Sequence, residues 1–328
     1  MTATLLLSGA DVAALLTPAE CAAAVARAFA LHAAGDSLPP GVLGVHAGDG
    51  GFHVKTAGLR APRPCFAAKV NANFPGNPAR FGLPAIQGVV VLCDAGNGAL
   101  LAVLDSAELT ALRTAATTAL AATHLAPPHA RVATVVGCGV QGGAHVRALA
   151  AVLPLERIHA VDADPARAAA LATALTRETG REVRATAELG AALADSQVCV
   201  TCTPSRRPLL HAGDVRPGTF VAAVGADSED KQEIDPALLA ASAVVVDHLG
   251  QCATIGDLHH ALAGGFVTPE HVRAELWEVV TGRRRGRLAD DEVVVFDSTG
   301  TALQDVAAAM AVYDKAIAAG RGRAVELR

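Results

Sequence analysis

Residues 132–142, VATVVGCGVQG, decide how this chain folds. Five mostly apolar, partly β-branched residues run directly into Gly137-Cys138-Gly139-Val140-Gln141-Gly142, and the pattern then turns helical through His145, Leu149 and Val152. This reads as strand, tight glycine turn and helix. A second apolar strand over 157–161 ends in Asp162, twenty residues after Gly142. That is the dinucleotide fingerprint in its required context. Gly137 permits the sharp turn, Gly139 lets a pyrophosphate approach the backbone, and Gly142 lets helix and strand pack closely. The helix N-terminus supplies N–H groups for the anion. Asp162 suits a ribose diol and repels a 2′-phosphate, which favours NAD. Arg167 nearby leaves NADP open.

Strands and helices alternate on either side of this unit. A helix from Asp164-Pro165 to Gly180 is followed by strands over 182–185, 197–203, 219–225 and 243–247, with a helix over 187–194. Alternation of this kind predicts a doubly wound parallel sheet of Rossmann type, an α/β fold with right-handed crossovers. Its ligands sit beyond the carboxyl ends of the strands. Those ends are 137–142, Asp162, Thr203-Pro204 and Gly225-Ala226-Asp227. Residues 269–280 read as a further helix and 292–296 as a strand.

The N-terminal third has another texture. A helix capped by Thr17 and opened by Pro18 runs to Ala34, and strand candidates at 51–57, 65–71, 86–94 and 99–105 are broken by Gly, Pro and Asn. DAGNG, 94–98, looks like a hairpin turn. Long alanine-rich helices are predicted over 107–125 and 301–319. The expected organisation is an α+β domain (1–125 plus 301–328) into which the Rossmann domain (126–300) is inserted.

Composition narrows the function. A net charge of −5 and 52% hydrophobic residues suit a folded chain whose partner is neither nucleic acid nor an anionic membrane. No apolar run approaches a membrane span and the start lacks a secretion signal, so a cytoplasmic location is expected. Seven cysteines spread over the chain read as reduced thiols. Cys199 and Cys202 lie in a strand-like run and point to opposite faces, which argues against a metal. His248, His259 and His260 lack a third ligand at metal spacing, so no metal is expected. The basic run 283–287 reads as a solvated loop.

A few polar residues sit in apolar surroundings. Lys69, inside CFAAKVN, either snorkels at an edge or faces a site. Arg113 and Thr114 interrupt an Ala/Leu helix, where a guanidinium can clamp a carboxylate. Asp227 follows a strand directly, near Lys231. His53, on a strand between Phe52 and Val54, is a weaker substrate candidate.

Taken together, AAKVNANFPGNP, the run LPAIQGVVVLCDAGNGALLAVLDSAELTALRTAATTALAATHLA, VVGCGVQG, GADSEDKQEID and VFDSTGTALQDVA resemble the ornithine cyclodeaminase and mu-crystallin family, over nearly the whole chain. The resemblance implies a homodimer formed through the first domain's sheet, which makes that domain the substrate-binding and dimerisation domain. It places the family's lysine on Lys69, its carboxylate-binding arginine on Arg113 and its catalytic aspartate on Asp227, with a lysine of some members at Lys231. Cofactor contacts fall on Thr114, Gly139, Val140, Gln141, Asp162, Thr203 and the Ser298 turn.

One stretch departs from the family. In PPGVLGVHAGDGGFHVKTA, Val42 or a neighbour stands where cyclodeaminases carry a second arginine, Lys55-Thr56 replaces Met-Pro, and His53 falls near the position of an acid that contacts the distal amine. Without that acid a second substrate ammonium lacks its partner, while Lys55 offers a positive charge to a carboxylate. The expected activity is therefore an NAD(P)-dependent oxidoreductase at the C–N bond of a small amino or imino acid, an imino acid reductase or amino acid dehydrogenase. The alternatives are ornithine cyclodeaminase chemistry, releasing ammonia and giving proline, and a non-enzymatic binding role like that of mu-crystallin.

Overall fold

The computed structural model describes residues 3–327. The chain opens with a strand, β1 (Thr4–Leu7), and two helices, α1 (Gly9–Leu15) and α2 (Pro18–Ala33). Ser8 and Thr17 accept bonds from the backbone N–H three residues on, and Asp11 and Glu20 reciprocate, so both helix starts are boxed. Next come β2 (Ser37–Ala47), β3 (Gly50–Leu59), β4 (Cys65–Asn73), a short helix α3 (Asn77–Phe81), β5 (Ile86–Asp94) and β6 (Leu100–Asp105). β2 has no counterpart among the expected strands. It holds Pro39 and Pro40, and it lies on the sheet edge, where a residue without an N–H is tolerated. The DAGNG turn joins β5 and β6 antiparallel, with the Gly98 N–H on the Asp94 carbonyl.

Helix α4 (Ser106–Leu125) leads to the parallel unit. There β7 (Val132–Val136), α5 (Val140–Val152), β8 (Arg157–Val161), α6 (Pro165–Thr179), β9 (Glu182–Thr186), α7 (Leu189–Asp195) and β10 (Val198–Thr201) alternate as the sequence predicts. A two-stranded parallel ribbon, β11 (Arg206–Leu210) with β13 (Gln232–Ile234), flanks β12 (Phe220–Ala223). Then follow α8 (Pro236–Ala240), β14 (Ala243–Val246), α9 (Leu249–Ile255), α10 (Asp257–Ala263), β15 (Val272–Glu275), α11 (Leu276–Val280) and β16 (Val294–Asp297). The eight-stranded sheet has the order β15-β14-β16-β12-β10-β7-β8-β9. Its central strands are buried throughout, as in a parallel sheet covered on both faces.

Residues 269–280 are not one helix. A single 3-10 turn, Pro269–His271, gives way to β15, which pairs with β14 at the sheet edge before α11 begins. The Glu275 carboxylate accepts bonds from the Leu249 N–H and the Trp277 indole N–H, so long-range partners override the local helical pattern here. The basic run also differs from a wholly solvated loop. Arg287 is half-buried and donates to the carbonyls of Leu125, Gly218 and Glu292. Cys202 lies one residue past the end of β10, not on the strand.

The chain closes with α12 (Ala302–Ala319) and β17 (Arg323–Val325). These return to the N-terminal region, where the seven-stranded sheet runs β17-β1-β6-β5-β4-β3-β2 and α12 packs on α2 and on β3, β4 and β5. Packing divides the chain into one unit comprising residues up to 113 together with those from 301 onward, and a second comprising 114–300. The sequence put the first boundary at 125–126. It falls earlier because Ala115 and Ala119 of α4 pack against Ala148 of α5.

Candidate active site and cofactor cradle

In the first unit the β-sheet register determines which side chains meet. Lys55 on β3 stands directly opposite Lys69 on β4, which stands opposite Val90 on β5; His53, Asn71 and Gly88 form the adjacent row on the same face. Lys69 is 3% exposed and Lys55 8% exposed. Lys69 is therefore neither at an edge nor snorkelling. Its Nζ lies 2.8 Å from Oδ1 and 2.7 Å from Oδ2 of Asp305, on α12. The same carboxylate accepts from Arg113 Nε at 2.9 Å, and Arg113 Nη1 donates to the Gln304 side chain at 2.9 Å.

One buried acid thus meets two buried cations, with a third cation, Lys55, close enough to bear on both Lys69 and Asp305. Burial lowers the pKa of Lys69, and Arg113 lowers it further against the pull of Asp305, so that it is brought to about 7. Burial works to raise Asp305, yet Arg113 and Lys69 outweigh it and hold the carboxyl below its ordinary range. The result is an ionised acid beside an amine that gains or loses a proton near neutrality. Two further polar atoms here, Asn71 Oδ1 and Gln304 Nε2, are buried without a hydrogen-bond partner. Such atoms are costly unless something binds them.

Asp305 and Gln304 are the residues that sequence reasoning missed. Their signal was present but faint: a Gln-Asp pair within the otherwise apolar TALQDVAAAMAV.

In the second unit the glycine turn has the expected form. Gly137 has φ 102°, a left-handed value that favours glycine. A Cβ on Gly142 would run into the Gly137 carbonyl, so this position holds helix and strand together. Around Gly139 no atom lies within 4 Å of where a Cβ would stand, which leaves open space over the backbone at the start of α5. Val140, the first residue of that helix, is 76% exposed, and Gln141 Oε1 is buried without a partner. An open backbone, an uncovered apolar side chain and an orphan acceptor at a helix N-terminus fit a dinucleotide laid across them. Asp162 is held beside this turn: Oδ2 accepts from the Cys138 N–H at 2.7 Å and Oδ1 from the Asp164 N–H at 2.8 Å. Its carboxylate retains acceptor capacity for a diol.

Of the remaining predicted positions, Thr203, Asp227 and Ser298 follow the carboxyl ends of strands, and buried acids fix Thr203 and Ser298. Thr203 donates its N–H and its hydroxyl to Glu233 Oε1, at 2.6 and 2.7 Å. Ser298 donates to Asp247, which also accepts from the Gly300 N–H. Asp227 accepts from Lys231 at 2.5 Å, and this pair is only partly buried. Thr114 is buried in α4. Asp257 and Asp297 interact closely while fully buried. Burial pushes both up, Asp297 to about 7, and the charge of Asp297 raises Asp257 further. Their oxygens accept backbone N–H groups of Glu233, Ile234 and Leu258. Glu233, Asp257 and Asp297 did not stand out in the sequence. His248 caps α9 through Nδ1, and His260 bonds to the Lys231 carbonyl.

Similarity to known proteins is extensive. The iminosuccinate reductase of Paracoccus denitrificans is 34% identical over 97% of this chain and 98% of its own. A solved archaeal alanine dehydrogenase dimer with bound NAD superposes with a TM-score of 0.94 at 33% identity, covering 99% of both chains. The Δ1-pyrroline-2-carboxylate reductase of Thermococcus litoralis, solved with NADH and L-proline, gives 0.94 at 29% identity over 98% of this chain and 100% of that one. The ornithine cyclodeaminase/mu-crystallin family model matches residues 2–320, and the chain belongs to that family.

Proposed function

We propose that this protein is an NAD-dependent oxidoreductase that interconverts a small imino acid and the corresponding amino acid. The observation that carries the proposal is the buried set Lys69, Asp305 and Arg113, an arrangement suited to holding a carboxylate beside a group that titrates near neutrality. A cradle of the kind that binds NAD lies in the same chain, at Gly137 to Gly142 and Asp162.

Arg113 binds the substrate carboxylate, its fork already oriented by Asp305 and Gln304. The nicotinamide, once held by the cradle, would supply the hydride that an imine carbon accepts. Lys69 polarises the substrate or donates to the imine nitrogen the one proton that reduction consumes beside the hydride, and Asp227 handles the proton of the resulting amine, with Lys231 setting its orientation. In the reverse direction the same groups accept those protons. Gly139, Val140, Gln141, Gly142, Thr114, Thr203 and Ser298 hold the dinucleotide, and Asp162 selects NAD through its ribose. Lys55 and His53 border the substrate.

Lys55 also weighs against cyclodeaminase chemistry on ornithine, because a cation beside Lys69 and Arg113 repels a second ammonium.

A homodimer is part of this proposal. On the face of the first unit's sheet opposite Lys69, Leu43, Val54, Val70 and Val89 form one row across four strands, and Val45, Phe52 and Ala72 lie in the next. Leu43, Val45, Phe52, Val70 and Val89 are 36–58% exposed. A contiguous apolar patch of this kind marks an interface. All seven cysteines are unpaired thiols, which suits a reducing compartment such as the cytoplasm.

The test is NADH oxidation against 2-oxo acids with ammonia or methylamine and against cyclic imino acids. Stoichiometric consumption supports the reductase. Ammonia release from ornithine with trace NAD, and no net consumption, would replace it with the lyase.

A further inference from the structure

The ribbon strand β13 lies outside the main sheet, yet its central side chain reaches two loops of that sheet. Glu233, fully buried, accepts the Thr203 N–H and hydroxyl on Oε1 and the Gly225 N–H, at 2.8 Å, on Oε2. These donors belong to the segments that leave β10 and β12. The first carries Thr203; the second runs through Gly225 into Asp227. A Cβ on Gly225 would meet both the Thr203 carbonyl and the Glu233 carboxylate, so the three groups are packed as tightly as backbone allows. Glu233 is itself held from behind: its N–H donates to Asp257 Oδ1 at 2.8 Å, and Asp257 also holds Ile234.

We propose that Glu233 is a positioning residue, a clamp that sets Thr203 against the cofactor and Asp227 against the substrate at the same time. The proposal rests on the oxidoreductase reading above. Burial pushes the Glu233 carboxyl up and its bonds from Thr203 and Gly225 pull it back; all three are donors, so an amide in its place turns a nitrogen toward an N–H. Charge-assisted hydrogen bonds of this kind are about twice as strong as neutral ones.

The experiment compares wild type with Glu233→Gln, Glu233→Asp, Thr203→Val and the Glu233→Gln/Thr203→Val double variant. NADH dissociation is followed by nicotinamide fluorescence, kcat at saturating NADH with an imino acid the wild type reduces, and thermal unfolding alongside. Glu233→Gln is expected to weaken NADH binding and to lower kcat, each at least about tenfold. The double variant should lose no more NADH affinity than the worse single variant, because both changes break one contact. Glu233→Asp keeps the charge but lacks the reach to span both loops, so it should fold and still lose part of both; it also decides the matter if Glu233→Gln does not fold.

Loss of thermal stability with NADH binding and kcat unchanged makes Glu233 purely structural and overturns the proposal, as do fully additive losses. A wild type that binds no NADH overturns the parent reading and the clamp with it. A wild type that binds and turns over, with both Glu233 variants doing the same, overturns the clamp alone.

Discussion

The two units solve the problem of buried charge in opposite ways. In the first, Asp305 offsets Lys69 and Arg113, so one carboxylate neutralises cations that come from β4 and α4. In the second, Glu233, Asp247, Asp257 and Asp297 are buried, backbone N–H groups and hydroxyls stand in place of counter-charges, and burial still pushes Glu233, Asp257 and Asp297 up. The first arrangement is a balance of full charges in a low dielectric, sensitive to the removal of any member. The second shares its load among many partial charges. The first brings opposite full charges together; the second ties loops through many hydrogen bonds to acids.

The sharpest way to break this comparison is to remove Asp305. Asp305→Ala leaves Lys69 and Arg113 buried without their acid and should cost about 3–5 kcal/mol in denaturant unfolding. A loss below about 1 kcal/mol would show that the cations are neutralised otherwise. Next in size is Gly142→Ala, whose added methyl meets the Gly137 carbonyl; about 1–3 kcal/mol of destabilisation is expected, with weaker NADH binding. Its counterpart Gly139→Ala, in open space, should change stability by less than about 0.5 kcal/mol and yet impair NADH binding. Equal effects of the two on stability would remove the distinction between packing and cofactor glycines.

The pH dependence follows from Lys69. Its pKa is brought from 10.5 to about 7, first by burial and then by Arg113. Imine reduction, which needs the protonated amine, should fall by about tenfold per pH unit above about 7, while amino acid oxidation rises up to about 7 and levels off above it. For stability the sign is the reverse of a favourable pairing. Between about 7 and 10.5 the unfolded chain binds the extra proton, so the cost of burying Lys69 is relieved as pH rises through that window. A rate profile without an inflection near 7 would exclude Lys69 as the proton donor. The smallest effect belongs to the surface. Glu178→Ala breaks an exposed pair with Arg147 and should cost less than about 1 kcal/mol, which calibrates the others.

Much of the parallel unit was legible beforehand, because its signals are local. The glycine turn, the acid after β8 and the Asp164-Pro165 helix start each lie within a few residues of what they determine. The edge strand β2 and the strand β15 were not, since both are fixed by pairing: β2 by β3, and β15 by β14 with Glu275 reaching Leu249. The candidate site divides along the same line. Lys69, Arg113 and Asp227 drew notice as polar residues out of place, whereas Asp305 and Glu233 matter only through the groups they meet.

By itself, then, the sequence determined the α/β class, the nucleotide-binding turn and the family resemblance, because periodicity and glycine spacing act over one turn or one strand. Only the tertiary structure decided that Lys69 shares Asp305 with Arg113, from 236 residues away in the chain, and that Glu233 joins two loops. A buried charge is stable only with its partners, and which partners it finds is a property of the packed fold.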